Sequence, residues 1–429
     1  MATPDWTAPF LDTVAQQIRW KAARPVVLQE LNDHLEDQCT ACLDAGMTLQ
    51  DARAESLLQM GDPAAVGRHL DAVHRPKNAK EIWGLLAAFL VLNLLIWLLV
   101  FFDGDWSKWL WTPLLAMGLG TAAMVAGYFL PWNRLLKQIG VWSFIGLVCL
   151  IPILQFSTLG NSRSSDYIVY LLPMFYICLL YPLRNHGVHG YLLHLLLLGV
   201  LYWLSVNLFV FLGTLIFSVT ALTAGILVVR HGAFRFNKGK YGWMVLPHGL
   251  FWVAYFGKLF RQYTPDRDLP QHFTAYFRRM LAHARLIGPG SSFRTVLYRQ
   301  EILVSPREPS MPLAEECDFF LTTVIYRCGW LVGLGLVAAV AGFLVYCLCK
   351  GLKQPSLWGN LLSCTIVLPM LLQTTLHTTN NLFGMIASAQ LPLLSYGNTY
   401  RILDLALLGL LLSILRNRTI LRDTPMKIA

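Results

Sequence analysis

The chain has 429 residues, 55% of them hydrophobic, 12% aromatic and only 14% charged, and a mean hydropathy of +0.51, which excludes a soluble globular protein and specifies a polytopic membrane protein. Its formal charge of +10 would suit nucleic acid if the basic residues shared one folded soluble face. They lie instead in short loops between apolar runs, so nucleic acid is excluded as a partner, and the nine scattered cysteines imply no disulfide framework.

Residues 1–80 are predicted to form a small cytoplasmic domain of three to four helices, because apolar positions recur at helical spacing between clear stops. Gly46 ends one helix, Thr48 with Asp51 resembles a capping box, Gly61 closes the next helix, and Asp62-Pro63 offers a cap and a first-turn proline. Cys39 and Cys42 form a lone C-x-x-C on a helix surface, and His34, Glu36 and Asp37 read as a solvated helix face. No metal site is expected. The N-terminus is polar, so the first span is expected to direct membrane insertion. QELNDHLEDQ followed by DARAESLLQMGDPAAVGRHLDAVHRP resembles the prefix domain found ahead of some bacterial permeases and membrane regulators.

Beyond it, apolar runs able to cross or nearly cross a bilayer occur at Ile82–Phe102, Trp109–Leu130, Ile139–Phe156 and Tyr167–Leu183. Tyr191–Val229 is too long for one span and is read as two. Tyr241–Phe256, Leu321–Cys349, Leu357–Leu376 and Ile402–Leu415 complete a predicted all-α membrane domain of ten spans over 81–429, with a large extracytoplasmic loop, 257–318, between the seventh and eighth. Lys and Arg concentrate in one set of short loops, among them Arg134, Lys137, Arg230, Lys240, Lys350 and Arg416. The opposite set carries only Lys108, Arg163 and Arg401, which places both termini in the cytoplasm.

Within the outer loop, Phe273, Tyr276, Phe277, Met280 and Leu281 share one helical face with Arg278, Arg279 and Arg285 close by. Such a helix either lies in the lipid interface or packs as a lid on the bundle. Gly288-Pro289-Gly290 follows, a turn whose bare amides could approach a phosphate. Met311–Gly333 then runs a polar stretch with Glu315, Glu316 and Asp318 into a span. Asp318 is the acid singled out, since partial desolvation at a membrane mouth raises a carboxylate's proton affinity, while the plainer reading, favoured on this stretch alone, is a solvated helix flank. Inside the membrane, Arg327 calls for a partner, for which Asp404 is a candidate. His194, His248 and His377 read as packing residues, and Gln373, Asn380 and Asn381 as cavity lining or helix fasteners.

These residues resemble the SEDS family (shape, elongation, division and sporulation; the FtsW, RodA and SpoVE type). Pro312 followed by Cys317-Asp318-Phe319-Phe320-Leu321 is similar to that family's proline and T-D-F-I-F, with Gly329 and Gly333 at its later glycines. Leu391-Pro392-Leu393-Leu394-Ser395-Tyr396-Gly397-Asn398-Thr399 resembles its L-P-F-I-S-Y-G-G-S, preceded by Gln373 and Gly384. Leu212-Gly213-Thr214 resembles the end of P-D-L-G-T, and Gly288-Pro289-Gly290 its G-S-G.

The resemblance implies a peptidoglycan glycosyltransferase of the bacterial cytoplasmic membrane that polymerises lipid II on the outer face beside a class B penicillin-binding transpeptidase, in cell division, elongation or sporulation. It implies Asp318 as the essential acid. Arg278, Arg279, Arg285 and Arg294 are candidates to steady the departing pyrophosphate, with Gly288, Gly290, Gln373, Ser395, Tyr396 and Gly397 toward the substrate. No cofactor is called for by the residues, although a divalent cation is compatible with a pyrophosphate leaving group. The family's Q-P-S-E is not recognisable, Phe211 replaces the aspartate of P-D-L-G-T, and Tyr326 and Arg327 replace a glutamate pair. A non-catalytic scaffold of cell-wall enzymes and a transporter of lipid-linked sugars are the alternatives.

Overall fold

The computed structural model describes residues 6–21, 23–76, 80–98, 111–130, 171–208, 211–232, 234, 241–262, 271–297, 300–306, 319–383, 389–395 and 398–417. Its contacts divide into two compact units, one built on Met1–Asn78 and one on Ala79–Leu415.

The first unit holds helices α1 (Ala8–Gln17), α2 (Arg24–Asp44), α3 (Leu49–Met60) and α4 (Pro63–His74). Their ends fall where local chemistry puts them. The Thr48 side chain accepts from the Asp51 N–H, the Asp62 carboxylate accepts from Ala64 and Ala65, and Gly61 closes α3 at φ +82. Phe10, Leu11, Val14, Ile18, Val27, Leu31 and Leu35 form the core. Cys39 continues the inward row of Val27, Leu31 and Leu35 at a spacing of one turn, so it is buried at 7% exposure and not on the surface as the lone C-x-x-C suggested. Asp71 joins the connection between α1 and α2 to α4. Its carboxylate accepts from the Arg19 N–H at 2.8 Å and from Arg75 Nη2 at 3.2 Å, and these donors hold its pKa below the usual aspartate range.

The second unit comprises α5 (Lys80–Ile96), α6 (Trp111–Tyr128), α7 (Leu171–Leu183), α8 (Gly187–Leu208), α9 (Phe211–Arg230), α10 (Gly242–Gln262), α11 (Gln271–Ala282), a hairpin of β1 (Phe293–Leu297) and β2 (Gln300–Val304), α12 (Phe320–Cys328), α13 (Trp330–Leu352), α14 (Leu357–Phe383) and α15 (Asn398–Arg416). Among the described residues three helices are long and apolar enough to cross a membrane, within Gly213–Arg230, Trp330–Leu352 and Leu357–Phe383. The long run at Tyr191–Val229 is carried by two helices, α8 and α9. The predicted span Ile139–Phe156 lies outside the described residues.

The predicted span Leu321–Cys349 is not one helix. It breaks at Gly329, which adopts φ +102, a backbone conformation that glycine enters without a Cβ penalty. Ahead of the break, α12 is buried on every side from Phe320 to Tyr326. Behind it, only a third of the apolar window of α13 is buried, as befits a lipid-facing helix. The histidines are bonded as packing residues: His194 Nε2 to Tyr176 Oη at 2.8 Å, and His248 Nδ1 to Tyr202.

Candidate functional site

α12 starts one residue after Phe319, which in sequence follows the acid singled out above, so its first turn is the described element nearest that acid along the chain. The first turn of a helix leaves amides without partners. Here α14 supplies one. Asn381 Oδ1 accepts from the Thr322 N–H at 2.9 Å and from Thr322 Oγ1 at 2.9 Å. The amide group of Asn381 is held in turn, donating to His377 O at 2.8 Å, and His377 Nδ1 lies 2.8 Å from Ala389 O. All three side chains are buried, where partnered polar groups specify one arrangement.

The chain from Ala389 leads into the closing motif, which is a buried polar turn. Leu391 donates its N–H to Ser395 Oγ at 2.6 Å, and Ser395 returns an N–H to Leu391 O at 2.9 Å. Leu393 sits at φ +68, unusual for a side-chain-bearing residue. It is held from both ends, since its N–H donates to Asp404 Oδ2 at 3.0 Å and its carbonyl accepts from Asn93 Nδ2 at 2.8 Å. Asn93 reaches Leu394 O as well, at 3.1 Å. Asp404 thus serves the turn, with Arg401 of its own helix beside it, and is not held by the Arg327 partnership that the sequence suggested.

On the other side of α12, α11 and the hairpin dock as a lid. Phe319 stacks on Phe277 at 3.5 Å between ring centres, and Tyr276, Phe277, Met280, Phe293, Val304 and Tyr326 close a small core. This decides between the two readings of the α11 face, which packs on the bundle instead of lying in lipid. Main-chain bonds then join the following loop to the junction of α12 and α13. Gly290 donates to Tyr326 O at 2.8 Å and Gly288 to Cys328 O at 3.0 Å, while Trp330 donates to Arg285 O at 3.0 Å and Leu331 to Leu286 O at 3.1 Å. Tyr326 Oη donates to Ser291 O at 3.0 Å. A Cβ on Gly290 would come within 2.8 Å of the Tyr326 ring, so only glycine permits this approach.

The candidate residues divide accordingly. The amides of Gly288 and Gly290, read as open to a phosphate, are engaged by α12, which corrects that expectation. Ser395 Oγ is engaged within its own turn, and Gln373 is buried in α14. Arg278, Arg279, Arg285 and Arg294 are exposed. Arg278 Nη2 reaches Phe383 O at 3.3 Å and Arg279 Nη1 reaches Arg294 O at 3.3 Å, so α11 carries its cations beside the end of α14 and the hairpin. Asp318, Tyr396 and Gly397 lie outside the described residues. Sequence reasoning gave no weight to Asn93. An asparagine in an otherwise apolar run was the available signal, because such a residue is costly in a membrane unless bonded.

No family profile and no curated protein matches the chain. Solved structures do. One, from work on structural coordination of polymerization and crosslinking by a peptidoglycan synthase complex, is 18% identical with a TM-score of 0.58, covering 80% of this chain and 98% of its own. Another, a mutant of the rod shape determining protein RodA of Thermus thermophilus, is 17% identical with a TM-score of 0.53, covering 79% and 97%. At these identities the likeness is one of fold, and it meets the SEDS resemblance of the motifs: the chain is a membrane protein built on the fold of RodA.

Proposed function

We propose that this protein is a SEDS-type peptidoglycan glycosyltransferase that polymerises lipid II at the outer face of the bacterial cytoplasmic membrane, with both termini inside. The observation that carries the reading is the start of α12, capped by Asn381 and clamped through Phe319 to the arginine-bearing helix α11. Asp318 stands immediately before this anchored turn in sequence. Its carboxylate accepts the proton of a sugar hydroxyl as that oxygen bonds to the anomeric carbon of the donor sugar. The bond from that carbon to the lipid pyrophosphate breaks, and the pyrophosphate leaves with the electron pair. Arg278, Arg279, Arg285 and Arg294 meet its charge. The crosslinking named for one fold neighbour supports a class B penicillin-binding transpeptidase as partner.

The test is polymerisation of lipid II by the purified full chain with and without Asp318→Ala. General-base loss is expected to cut product by about 10²–10⁴-fold. Equal product from both removes Asp318 from the mechanism.

The compact unit on Met1–Asn78 favours one rival, a scaffold that recruits cell-wall enzymes through its cytoplasmic helices. The rival predicts that Asp318→Ala complements a deletion strain while removal of residues 1–80 does not. The glycosyltransferase reading predicts that Asp318→Ala fails.

A further inference from the structure

The loop between α11 and the hairpin exposes Leu286 at 64% and Ile287 at 69%, two large apolar side chains in succession. Their level along the bundle is fixed. Leu286 and its neighbour Arg285 accept from the first two amides of α13, Leu331 and Trp330, and the Cα of Ile287 lies where a Cβ on Gly329 would be 2.8 Å away. With 23 residues, α13 is about 34 Å long at 1.5 Å per residue, against a hydrocarbon core of about 30 Å. Its first turn therefore lies at one boundary of the bilayer. From that turn on, Leu331 at 55%, Val332 at 41% and Leu334 at 43% exposure begin the lipid-facing side. Leu286 and Ile287 are exposed at that same level beside the helix start, and Arg278, Arg279 and Arg285 are exposed residues of the same stretch of chain, Arg278 reaching Phe383 O at the end of α14.

We infer that Leu286 and Ile287 form a lip inserted into the leaflet at the α13 N-terminal end, with the neighbouring arginines drawing anionic headgroups around it. Apolar side chains held at this depth leave water for acyl chain, and cations at the headgroup layer favour anionic lipid. The lip moors the lid to the membrane, whereas α11, the segment with the amphipathic pattern, faces the protein. This inference depends on α13 crossing the bilayer and is independent of any catalytic role for Asp318.

The experiment places a photoreactive benzoylphenylalanine at position 287 of the full chain in vesicles of phosphatidylethanolamine and phosphatidylglycerol. Adducts are then read by mass spectrometry on the peptide that carries the probe. A probe at Glu36, on the charged face of α2, is the aqueous control. Lipid adducts at 287 are expected at about tenfold or more over the control, because two apolar side chains leaving water favour insertion by more than a decade. Phosphatidylglycerol is expected among the adducts at about twofold or more above its share of the vesicle, from at least part of one headgroup contact. The same probe at position 286 repeats the test if the 287 variant does not fold. Absence of lipid adducts at both positions, or adducts to protein in their place, overturns the lip. Adducts without phosphatidylglycerol enrichment overturn the part given to the arginines.

Discussion

Replacing Asn381 with alanine tests whether α14 holds the start of α12. The substitution removes the acceptor of both the Thr322 amide and the Thr322 hydroxyl, at 2.9 Å each, in a place that water does not reach. A lost helix cap costs about 1 kcal/mol, and stranding buried polar groups adds about 1–3 kcal/mol, so the turn is expected to loosen by about 2–4 kcal/mol. Cys328, half-buried in the last turn of α12, is a native reporter. If α12 opens as a unit, that free energy raises its labelling by a soluble maleimide by about 30-fold to several hundred-fold, read peptide by peptide in detergent-solubilised protein. Asn381→Asp keeps the acceptor oxygens but loses the N–H donated to His377 O, so it is expected to recover only part of the protection. Labelling of Cys328 in Asn381→Ala at the parental rate refutes the reasoning. So does an aspartate variant that labels as fast as alanine.

Tyr326→Phe removes the hydroxyl bonded to Ser291 O and is expected to cost the lid about 1 kcal/mol, seen as faster hydrogen exchange across 283–297 and at Trp330 and Leu331, with the rest of α13 and α14 unchanged. Asn93→Leu leaves the buried carbonyls of Leu393 and Leu394 without their shared donor and is expected to cost about 1–2 kcal/mol in mixed-micelle unfolding, whereas a surface asparagine change costs almost nothing. Asp71 gives the N-terminal unit a pH dependence. Its pKa is lowered in the folded state, so its contribution is whole above the unfolded value of about 3.9 and fades as pH falls through the folded value. Protection of the Arg19 amide, corrected for intrinsic exchange, is expected to decline in that acid window and to lose the dependence in Asp71→Asn; a flat native profile counts against the contact.

The parts of this fold that were legible in the sequence are those decided within one or two helical turns. Thr48, Gly61 and Asp62 act on amides and carbonyls a few residues away, so their caps stand where the pattern put them. Hydropathy likewise marked α9, α13 and α14. What escaped was decided by distant partners. Gly329 reads as one glycine in a long apolar run, and it breaks the helix because Leu286 and Ile287 dock against it from more than forty residues upstream. Gly288 and Gly290 read as an open anion-binding turn, yet their amides had a nearer use on α12. Asn381 was recognisable as a polar residue needing a partner. Nothing local says that the partner is Thr322.

Main-chain hydrogen bonds join the lid to the head of α13. A force applied to the hairpin, as by a protein seated on it, would reach the head of α13 through amide-to-carbonyl links and pass down a helix long enough to cross the bilayer. Most substitutions along the loop would leave that linkage whole. Gly290 and Gly329, where an added Cβ would come within 2.6 Å of His283 O and 2.8 Å of Leu286 O respectively, are the places where one exchanged residue would uncouple the lid from the transmembrane lever.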